Sequence, residues 1–291
     1  MRSWRISFLF LIIIIIIITI HLVTSMTLPP PAPSTIVALN VQVQVKPGCV
    51  SAFQQAADRN VVATRQEEGC LQIVYGRKDD DDHDGNNDDD DGNDKHDHNN
   101  QPTTFYFHDQ FRNDDAYTLH QGLPHFTKFV QETKDMLVAP PVVHKYHLYD
   151  VVEKDAAAAA AADDDDDDDD DNQNNDKKAG TGTFTTTTTT TTTTRYCLNV
   201  ESQLQPAHRD AYYQLMTNHA RCSRAEAGCT QFDWGLDDDD NGNVYMHEEY
   251  TDEEAFAAHQ AAAHFAKFVQ FNQEKQPYTQ PQAVHFYKIT N

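Results

Sequence analysis

The chain of 291 residues has a formal net charge of −24, and nearly all of that charge lies in Asp-rich segments at 79–101, 155–178 and 237–240. The remaining sequence is close to neutral and offers no basic patch that could neutralise phosphates, which excludes nucleic acid as a partner. Five cysteines in a chain of this length are too sparse for a fold built on disulfides.

The N-terminal segment has the composition of a targeting signal. Arg2 and Arg5 precede an apolar run that contains seven consecutive Ile, and residues 23–25 offer a signal-peptidase site. Because the run is short for a spanning helix of ~20 residues, we predict a signal peptide over 1–25. An uncleaved membrane anchor and a buried or organellar segment are the alternatives. A Pro-rich spacer over 26–35 follows, and together these features predict the secretory pathway.

The rest of the chain contains an internal repeat. Residues 65–70 return as residues 224–229 at an offset of 159, and residues 105–111 return as residues 244–250 at an offset of 139. The change of offset indicates twenty extra residues in the first copy, which lie in the acidic segment at 79–101. The chain is therefore predicted to hold two copies of one structural unit.

Each copy has the residue pattern of a βαββαβ unit. In the first copy, alternating β-branched residues indicate strands, and apolar residues at helical spacing after Pro47 indicate a helix that Gly69 ends. Acidic residues after Asn113 predict the start of a second helix, which Pro124 interrupts. The predicted strands are 36–45, 70–76, 103–111 and 142–151, and the predicted helices are 50–66 and 113–134. This order is that of the split ferredoxin-like fold, which is α+β.

Composition separates the two predicted domains. Runs of Ala, Asp and Thr between the copies have almost no apolar content beyond Ala and cannot form a core, so we predict disorder there and in the acidic insertion. The predicted organisation is a signal peptide or anchor at 1–25, a spacer at 26–35, repeat 1 at 36–153 with its insertion at 79–101, a low-complexity linker at 154–194, and repeat 2 at 195–291.

Several motifs occur in the same order in both repeats. Each first strand contains an Asn, and Arg-x-Glu-x-Gly-Cys precedes each second strand. The third strand is aromatic and ends on acid-x-aromatic, and an acidic helix start leads to Ala-aromatic-x-x-His and then His-Phe. This pattern resembles the antibiotic biosynthesis monooxygenase (ABM) family over about 36–152 and 196–289.

The resemblance implies a fold and a range of activities. The sheets of two ferredoxin-like units pack face to face as a dimeric α+β barrel, which a tandem chain forms internally. Family activities include cofactor-independent oxygenation of quinols and polyketides, haem degradation, and isomerisation of small signals, so the fold does not settle the reaction. We expect each repeat to bury its aromatic sheet face against the other repeat. The residues expected at that interface are Val41, Val43, Phe105, Phe107, Val200, Val244 and Met246.

Four residues are candidates for catalysis. His120 and His259 are predicted to act as base or hydrogen-bond donor in a pocket; the alternative is that a backbone carbonyl satisfies them. Asp109 and Glu248 lie between aromatic residues, where burial would raise the pKa of a carboxyl group and make it a usable base. The alternative for these two carboxylates is an ion pair with the arginine of the Arg-x-Glu motif.

Seven further residues are predicted to bind substrate: Asn40, Asn199, His125, His264, Tyr106, Tyr245 and Trp234. Asn40 and Asn199 interrupt strands that are otherwise built for burial, so each offers a polar group to a substrate or to a neighbouring loop. In haem-degrading members of the family an Asn, a Trp and a His form the site. Phe111 and Tyr250 stand where that Trp is expected, so we predict no haem.

A metal site on the paired histidines is not expected. On a continuous helix, residues five apart such as His120 and His125 are separated by about 140°, so both could face one ion only if the helix broke at Pro124. Residues 261–263 of repeat 2 are all Ala and give no sign of such a break. We predict no metal ion and no cofactor.

The predicted function is that of a cofactor-independent monooxygenase. Its partners would be O2 and a small aromatic, quinol-like or polyketide-like molecule, which a base converts to an anion that reacts with O2. The alternatives are an isomerase of the same fold and a non-catalytic ligand-binding or scaffold protein whose acidic tracts bind Ca2+ weakly. Membrane anchoring through the N-terminal segment and a higher oligomer stay open.

Overall fold

The computed structural model describes residues 34–78, 101–149, 194–237 and 241–290. The predicted signal or anchor, most of the spacer, the acidic insertion and the linker therefore lie outside the described residues. Repeat 1 contains β1 (Val37–Val45), α1 (Val50–Thr64), β2 (Cys70–Lys78), β3 (Thr103–Phe111), α2 (Asp114–Gly122), α3 (Pro124–Thr133) and β4 (Val142–Leu148). Repeat 2 contains β5 (Thr194–Gln203), α4 (Arg209–Ser223), β6 (Cys229–Leu236), β7 (Asn243–Tyr250), α5 (Glu253–Gln260), α6 (Ala263–Lys275) and β8 (Ala283–Thr290).

Local sequence explains where the helices of repeat 1 begin and end. The turn before α1 uses Gly48 in the left-handed region, at φ +78°, where a side chain would be strained. α2 begins after Asn113, whose side-chain oxygen accepts the backbone N–H of Ala116 at 2.9 Å. α3 begins with Pro124 in its first turn, where the missing N–H costs no helical hydrogen bond. The helical segments predicted for repeat 1 are therefore present.

The eight strands form one closed barrel. Their order around it is β1-β3-β2-β8-β5-β7-β6-β4, and the pairs are antiparallel. Each repeat contributes four adjacent strands, so the barrel is closed at two seams, where β2 meets β8 and β4 meets β6. The prediction of two α+β repeats paired as an intramolecular barrel is confirmed.

A glycine lies at each seam. A Cβ added at Gly76 would overlap the backbone carbonyl of Lys288, and one added at Gly235 would overlap that of His147. These glycines occupy equivalent positions of the two repeats, and their missing side chains let the strand of the other repeat approach.

The two faces of the sheet are arranged differently from the expectation. The apolar face of repeat 1 packs against its own helix, since Val43, Phe105 and Phe107 form a core cluster with Phe53 and Ala57 of α1. In repeat 2 the same holds for Val200, Val244 and Met246, which cluster with Tyr212 and Met216 of α4. The prediction that these residues bury against the partner repeat is therefore wrong. Both faces carry aromatic residues at alternate positions, so the pattern could not decide which face the helices cover.

The interior of the barrel is lined by the opposite face and is rich in polar groups. His108 and His247 stack across the two repeats with ring centroids 3.8 Å apart and planes inclined by 7°, and neither residue is exposed. Asn40 donates to the backbone carbonyl of Met246 at 3.0 Å and lies 2.9 Å from His108 Nδ1. The repeats are therefore joined by a buried hydrogen-bond network as well as by apolar contacts.

Among the described residues, we find no helix with the length and apolar character needed to cross a membrane. All five cysteines, which fall within the described ranges, carry free thiols.

Candidate active site

A cavity of about 500 Å3 lies in repeat 1 between the outer face of the sheet and the helices. Most of its lining is apolar and comes from β1, β2, β3, α1 and α3 and from the segment that leads into β4. The principal apolar residues are Leu39, Val41, Val43, Ile73, Phe107, Phe126 and Phe129. The polar residues of the lining include Asn60, Asp109 and His120. A mostly apolar cavity with a few polar groups is the usual form of a small-molecule site.

Asp109 is a buried carboxyl group on β3. Its Oδ1 atom has no hydrogen-bond partner among the described residues. Burial, with a smaller contribution from the negative charge of Glu67, raises the pKa of Asp109 to about 8. The predicted alternative, an ion pair with Arg65, is not formed, because Arg65 donates instead to the carbonyl of Ile73 at 3.0 Å. Asp109 is therefore largely protonated near neutral pH and can donate a hydrogen bond.

His120 lies near the end of α2 and is 2% exposed. Its Nδ1 atom is 2.7 Å from Glu67 Oε1, so Nδ1–H donates to that carboxylate and the lone pair is left on Nε2. Burial lowers the pKa of His120, although the hydrogen bond to Glu67 acts in the opposite direction. The imidazole is therefore neutral at pH 7, and Nε2 can accept a proton.

Asn60 on α1 is a cavity residue that the sequence interpretation missed. It is 5% exposed, and its Oδ1 atom is a second buried oxygen with no hydrogen-bond partner among the described residues. An unsatisfied buried polar group costs about 1–3 kcal/mol, so two of them in one cavity indicate a place that a polar ligand would fill. The available signal was an Asn on the apolar face of an otherwise regular amphipathic helix.

The equivalent region of repeat 2 is packed with larger side chains. Tyr212 and Met216 replace Phe53 and Ala57, and Tyr278 extends its hydroxyl to Asn272 at 3.1 Å. His219, at the place of Asn60, is buried, and desolvation together with its two histidine neighbours lowers its pKa to about 3.

The carboxyl group of repeat 2 also has a partner that its counterpart lacks. Tyr250 donates its hydroxyl to Glu248 at 2.8 Å, whereas the matching residue of repeat 1 is Phe111. Burial raises the pKa of Glu248 to about 7, and the Tyr250 hydrogen bond opposes that rise. The two repeats thus share a fold and differ at the cavity.

The remaining predicted residues fall into other places. His125 and His264 do not line the cavity of repeat 1. His125 lies beside Glu67, and His264 lies beside Glu226. The expectation that repeat 2 lacks a helix break is wrong, because Ala262 adopts an extended backbone, with φ −71° and ψ 149°, between α5 and α6. The geometric reason against a paired-histidine site therefore does not hold, since no proline is needed for the break.

The predicted substrate-binding residues do not share one pocket. Asn40 and Asn199 face the barrel interior, where they hydrogen-bond to His108 and His247. Tyr106 and Tyr245 lie on the same inner face and stack on His285 and His144. Trp234 is fully buried against Tyr149 and Tyr213. None of these residues lines the cavity beside His120, because the sheet separates the Asn and Tyr residues from it and Trp234 lies in the core of repeat 2.

The fold and the site define the general class of the protein. Two ferredoxin-like halves closed into one eight-stranded barrel, with the cavity under the helices of one half, make this a dimeric α+β barrel formed within a single chain. The family model described as antibiotic biosynthesis monooxygenase (ABM) matches residues 36–85 and 195–270. The match falls once in each repeat, so both halves of the chain are similar to this family.

Solved structures with the same architecture cover most of the chain. A proposed monooxygenase from Fusobacterium nucleatum subsp. nucleatum covers 88% of this chain and 93% of its own, at 12% identity and a TM-score of 0.61. Another proposed monooxygenase, from Lactobacillus acidophilus, covers 87% and 93%, at 15% identity and a TM-score of 0.58. At these identities the likeness establishes the fold. A Pseudomonas aeruginosa protein is 30% identical over 32% of this chain and 93% of its own, with a TM-score of 0.30. No curated protein matches the chain.

Proposed function

We propose that repeat 1 is a cofactor-independent monooxygenase unit for a small aromatic, quinol-like or polyketide-like molecule. The observation that carries the proposal is the apolar cavity of about 500 Å3 that holds two unpartnered buried oxygens, on Asp109 and Asn60, beside His120. Its volume suits a molecule of one to three rings, and its apolar lining favours an aromatic body. The match of both repeats to the ABM family model supports the oxygenase chemistry.

His120 is the proposed base. Glu67 holds the proton of the imidazole on Nδ1, so Nε2 is free to take a proton from a phenol or an enol in the cavity. The lowered pKa of His120 keeps the ring neutral at pH 7, which is the state that a base requires. Glu67 therefore orients the ring of His120 and stabilises the imidazolium that forms there during proton transfer.

Asp109 is the proposed donor to the substrate oxygen. With a pKa of about 8 it keeps its proton near neutral pH, and that proton can stabilise the oxyanion that His120 creates. The anion then gives one electron to O2, and the two radicals combine to a peroxide. Loss of water from that peroxide leaves a carbonyl group, so a CH2 group and O2 become C=O and H2O. Asn60 would orient the substrate through its unpartnered oxygen.

Repeat 2 is not expected to turn over substrate. The region that corresponds to the cavity is filled by larger side chains, those of Tyr212, Met216 and Tyr278. The carboxyl group of Glu248 already accepts a hydrogen bond from Tyr250. Repeat 2 would serve as the partner that closes the barrel around repeat 1.

Oxygen uptake by the full chain tests the proposal. Hydroquinones, naphthols and polycyclic enols are supplied one at a time, and at least one should raise O2 consumption above the uncatalysed rate. His120→Gln should lower kcat/KM by about 10²–10⁴-fold, the loss expected for a removed base. His259→Gln is the matched control, because it removes the same contact to a glutamate in repeat 2 and should leave the rate unchanged. Equal losses in both variants, or no uptake with any compound, would contradict the proposal.

A further inference from the structure

One side-chain cluster is repeated in both halves of the chain, and in repeat 1 it shares His120 with the cavity. In repeat 1, Glu67 Oε1 lies 2.7 Å from His120 Nδ1 and 2.9 Å from His125 Nε2. In repeat 2, Glu226 lies 2.8 Å from His259 Nδ1 and 2.7 Å from His264 Nε2. We call these the Glu-His-His clusters.

The two clusters consist of the same residue types, whereas the cavity residues of repeat 1 are replaced in repeat 2. The repeats differ at the cavity positions. Asp109 aligns with Glu248, and Asn60 aligns with His219. The Glu-His-His residues are identical in type, and they use the same ring nitrogens in both repeats. A function shared by both clusters therefore cannot be substrate binding in the cavity.

We propose that each Glu-His-His cluster is a binding site for a divalent transition-metal ion of the Zn2+ class. Two imidazole nitrogens and one carboxylate are a donor set that Zn2+ takes in proteins, with a remaining position for water. In each repeat the three ligand atoms lie within 4.8 Å of one another. Ligand atoms about 2.0–2.1 Å from a tetrahedral ion stand roughly 3.3 Å apart, so each Glu–His pair needs to separate by only about half an ångström.

The surroundings of the clusters provide both access and support. The side chains of His125 and His264 are 23% and 14% exposed, which gives an ion a route from solvent. In repeat 2, His264 Nδ1 also lies 3.0 Å from His219 Nδ1. A hydrogen bond from the second ring nitrogen of a ligand fixes its orientation, and such partners typically change metal affinity by about 10–100-fold.

Ion binding has a defined effect on the ring protons. Without an ion, His120 and His259 carry the proton on Nδ1, where it is donated to the glutamate. An ion on Nδ1 moves the proton of a neutral imidazole to Nε2, so the same ring then offers a donor at its other nitrogen. The ion and the donated proton thus compete for one nitrogen in each repeat, so His120 can act as the proposed base only in the ion-free state.

Cobalt titration of the full chain tests the proposal. Co2+ is added in buffer with millimolar Mg2+, which saturates the Asp-rich tracts because Mg2+ prefers oxygen ligands. We expect two equivalents of Co2+ with visible absorption bands of nitrogen-ligated cobalt, and their displacement by Zn2+. Glu67→Gln should remove one equivalent, Glu226→Gln the other, and the double variant both, with affinity falling by more than about 100-fold at each changed site.

A second set of variants distinguishes loss of the ion from loss of folding. His125→Asn and His264→Asn change the two partly exposed ligands, and each should likewise remove one equivalent while circular dichroism stays unchanged. Absence of the cobalt bands in the wild-type chain, or bands that persist in the double variant, would overturn the proposal and leave a hydrogen-bonded cluster only. The readout is ion binding, so either result leaves the oxygenase proposal to its own test.

Discussion

Gly235→Ala should break one seam of the barrel. The glycine pairs with Leu148 where β6 meets β4, and the added Cβ would lie 2.8 Å from the carbonyl carbon of His147 and 2.7 Å from Tyr146 Cδ2. The clash is mainly with backbone, so no flexible side chain can move aside. β4 would have to withdraw from β6, and the residue pairs that join these strands would be lost.

The structure sets the size of the effect. Overpacking of this kind typically costs about 1–3 kcal/mol, and each seam hydrogen bond that is lost adds about 1 kcal/mol. We therefore expect a loss of roughly 2–4 kcal/mol in the free energy of unfolding. For a body of about 150–250 residues, each kcal/mol lowers Tm by about 2–4 °C, so Tm should fall by roughly 5–15 °C.

Thermal unfolding followed by circular dichroism or calorimetry measures the effect. Gly76→Ala, at the β2–β8 seam, should behave in the same way, because its Cβ would overlap the carbonyl of Lys288. Gly122→Ala is the control, since no atom lies within 4 Å of its added Cβ, and its Tm should stay equal or rise slightly. A Gly235→Ala chain as stable as the Gly122→Ala chain would refute the closed seam.

Four further outcomes are expected. The contribution of His108 to stability should fall below about pH 6.5, because burial and then His247 hold its pKa down in the folded state while the unfolded chain takes up the proton. The stability difference between wild type and His108→Asn in pH-dependent melts should therefore change below that pH, and a constant difference would count against it. The folded pKa of Asp109, about 8, exceeds its unfolded value of about 3.9, so the contribution of Asp109 to stability should decline as pH rises from about 4 to 8. Asp109→Asn should lack this decline, and a constant Tm difference across that range would argue against a buried carboxyl group. Asn60→Leu should raise stability by about 1 kcal/mol in denaturant titrations because it removes an unpartnered buried oxygen, whereas a loss of stability would indicate a hidden partner. Mass spectrometry of the mature protein should find an N-terminus near Met26, and a cytosolic protein that begins at Met1 would contradict the predicted signal.

The repeat architecture could be predicted because its signals are local or periodic. Strand alternation, helical spacing, the Asn113 cap and the matching glycines each report on nearby backbone, and the second copy confirms the order of elements. Asp109 and His120 were also predictable as residue types in a recurring motif. Their roles as cavity residues follow only from the packing of helices on the sheet.

Other features required three-dimensional information. The covered face of the sheet was assigned wrongly because Phe105 and Tyr106 make both faces aromatic, and only the position of α1 decides between them. Glu67 meets His120 across 53 residues of sequence, so no spacing rule links them. The helix break at Ala262 contains no proline or glycine, so the local sequence carries no signal for its extended backbone.

Anaerobic calorimetric titration of the full chain with a hydroquinone tests the central claim most directly, since binding is then measured without turnover. The account predicts one site per chain, weakened about tenfold by Asn60→Leu and unaffected by His219→Leu at the equivalent position of repeat 2. Two equal sites per chain, or a loss of binding in His219→Leu but not in Asn60→Leu, would contradict the assignment of the substrate cavity to repeat 1.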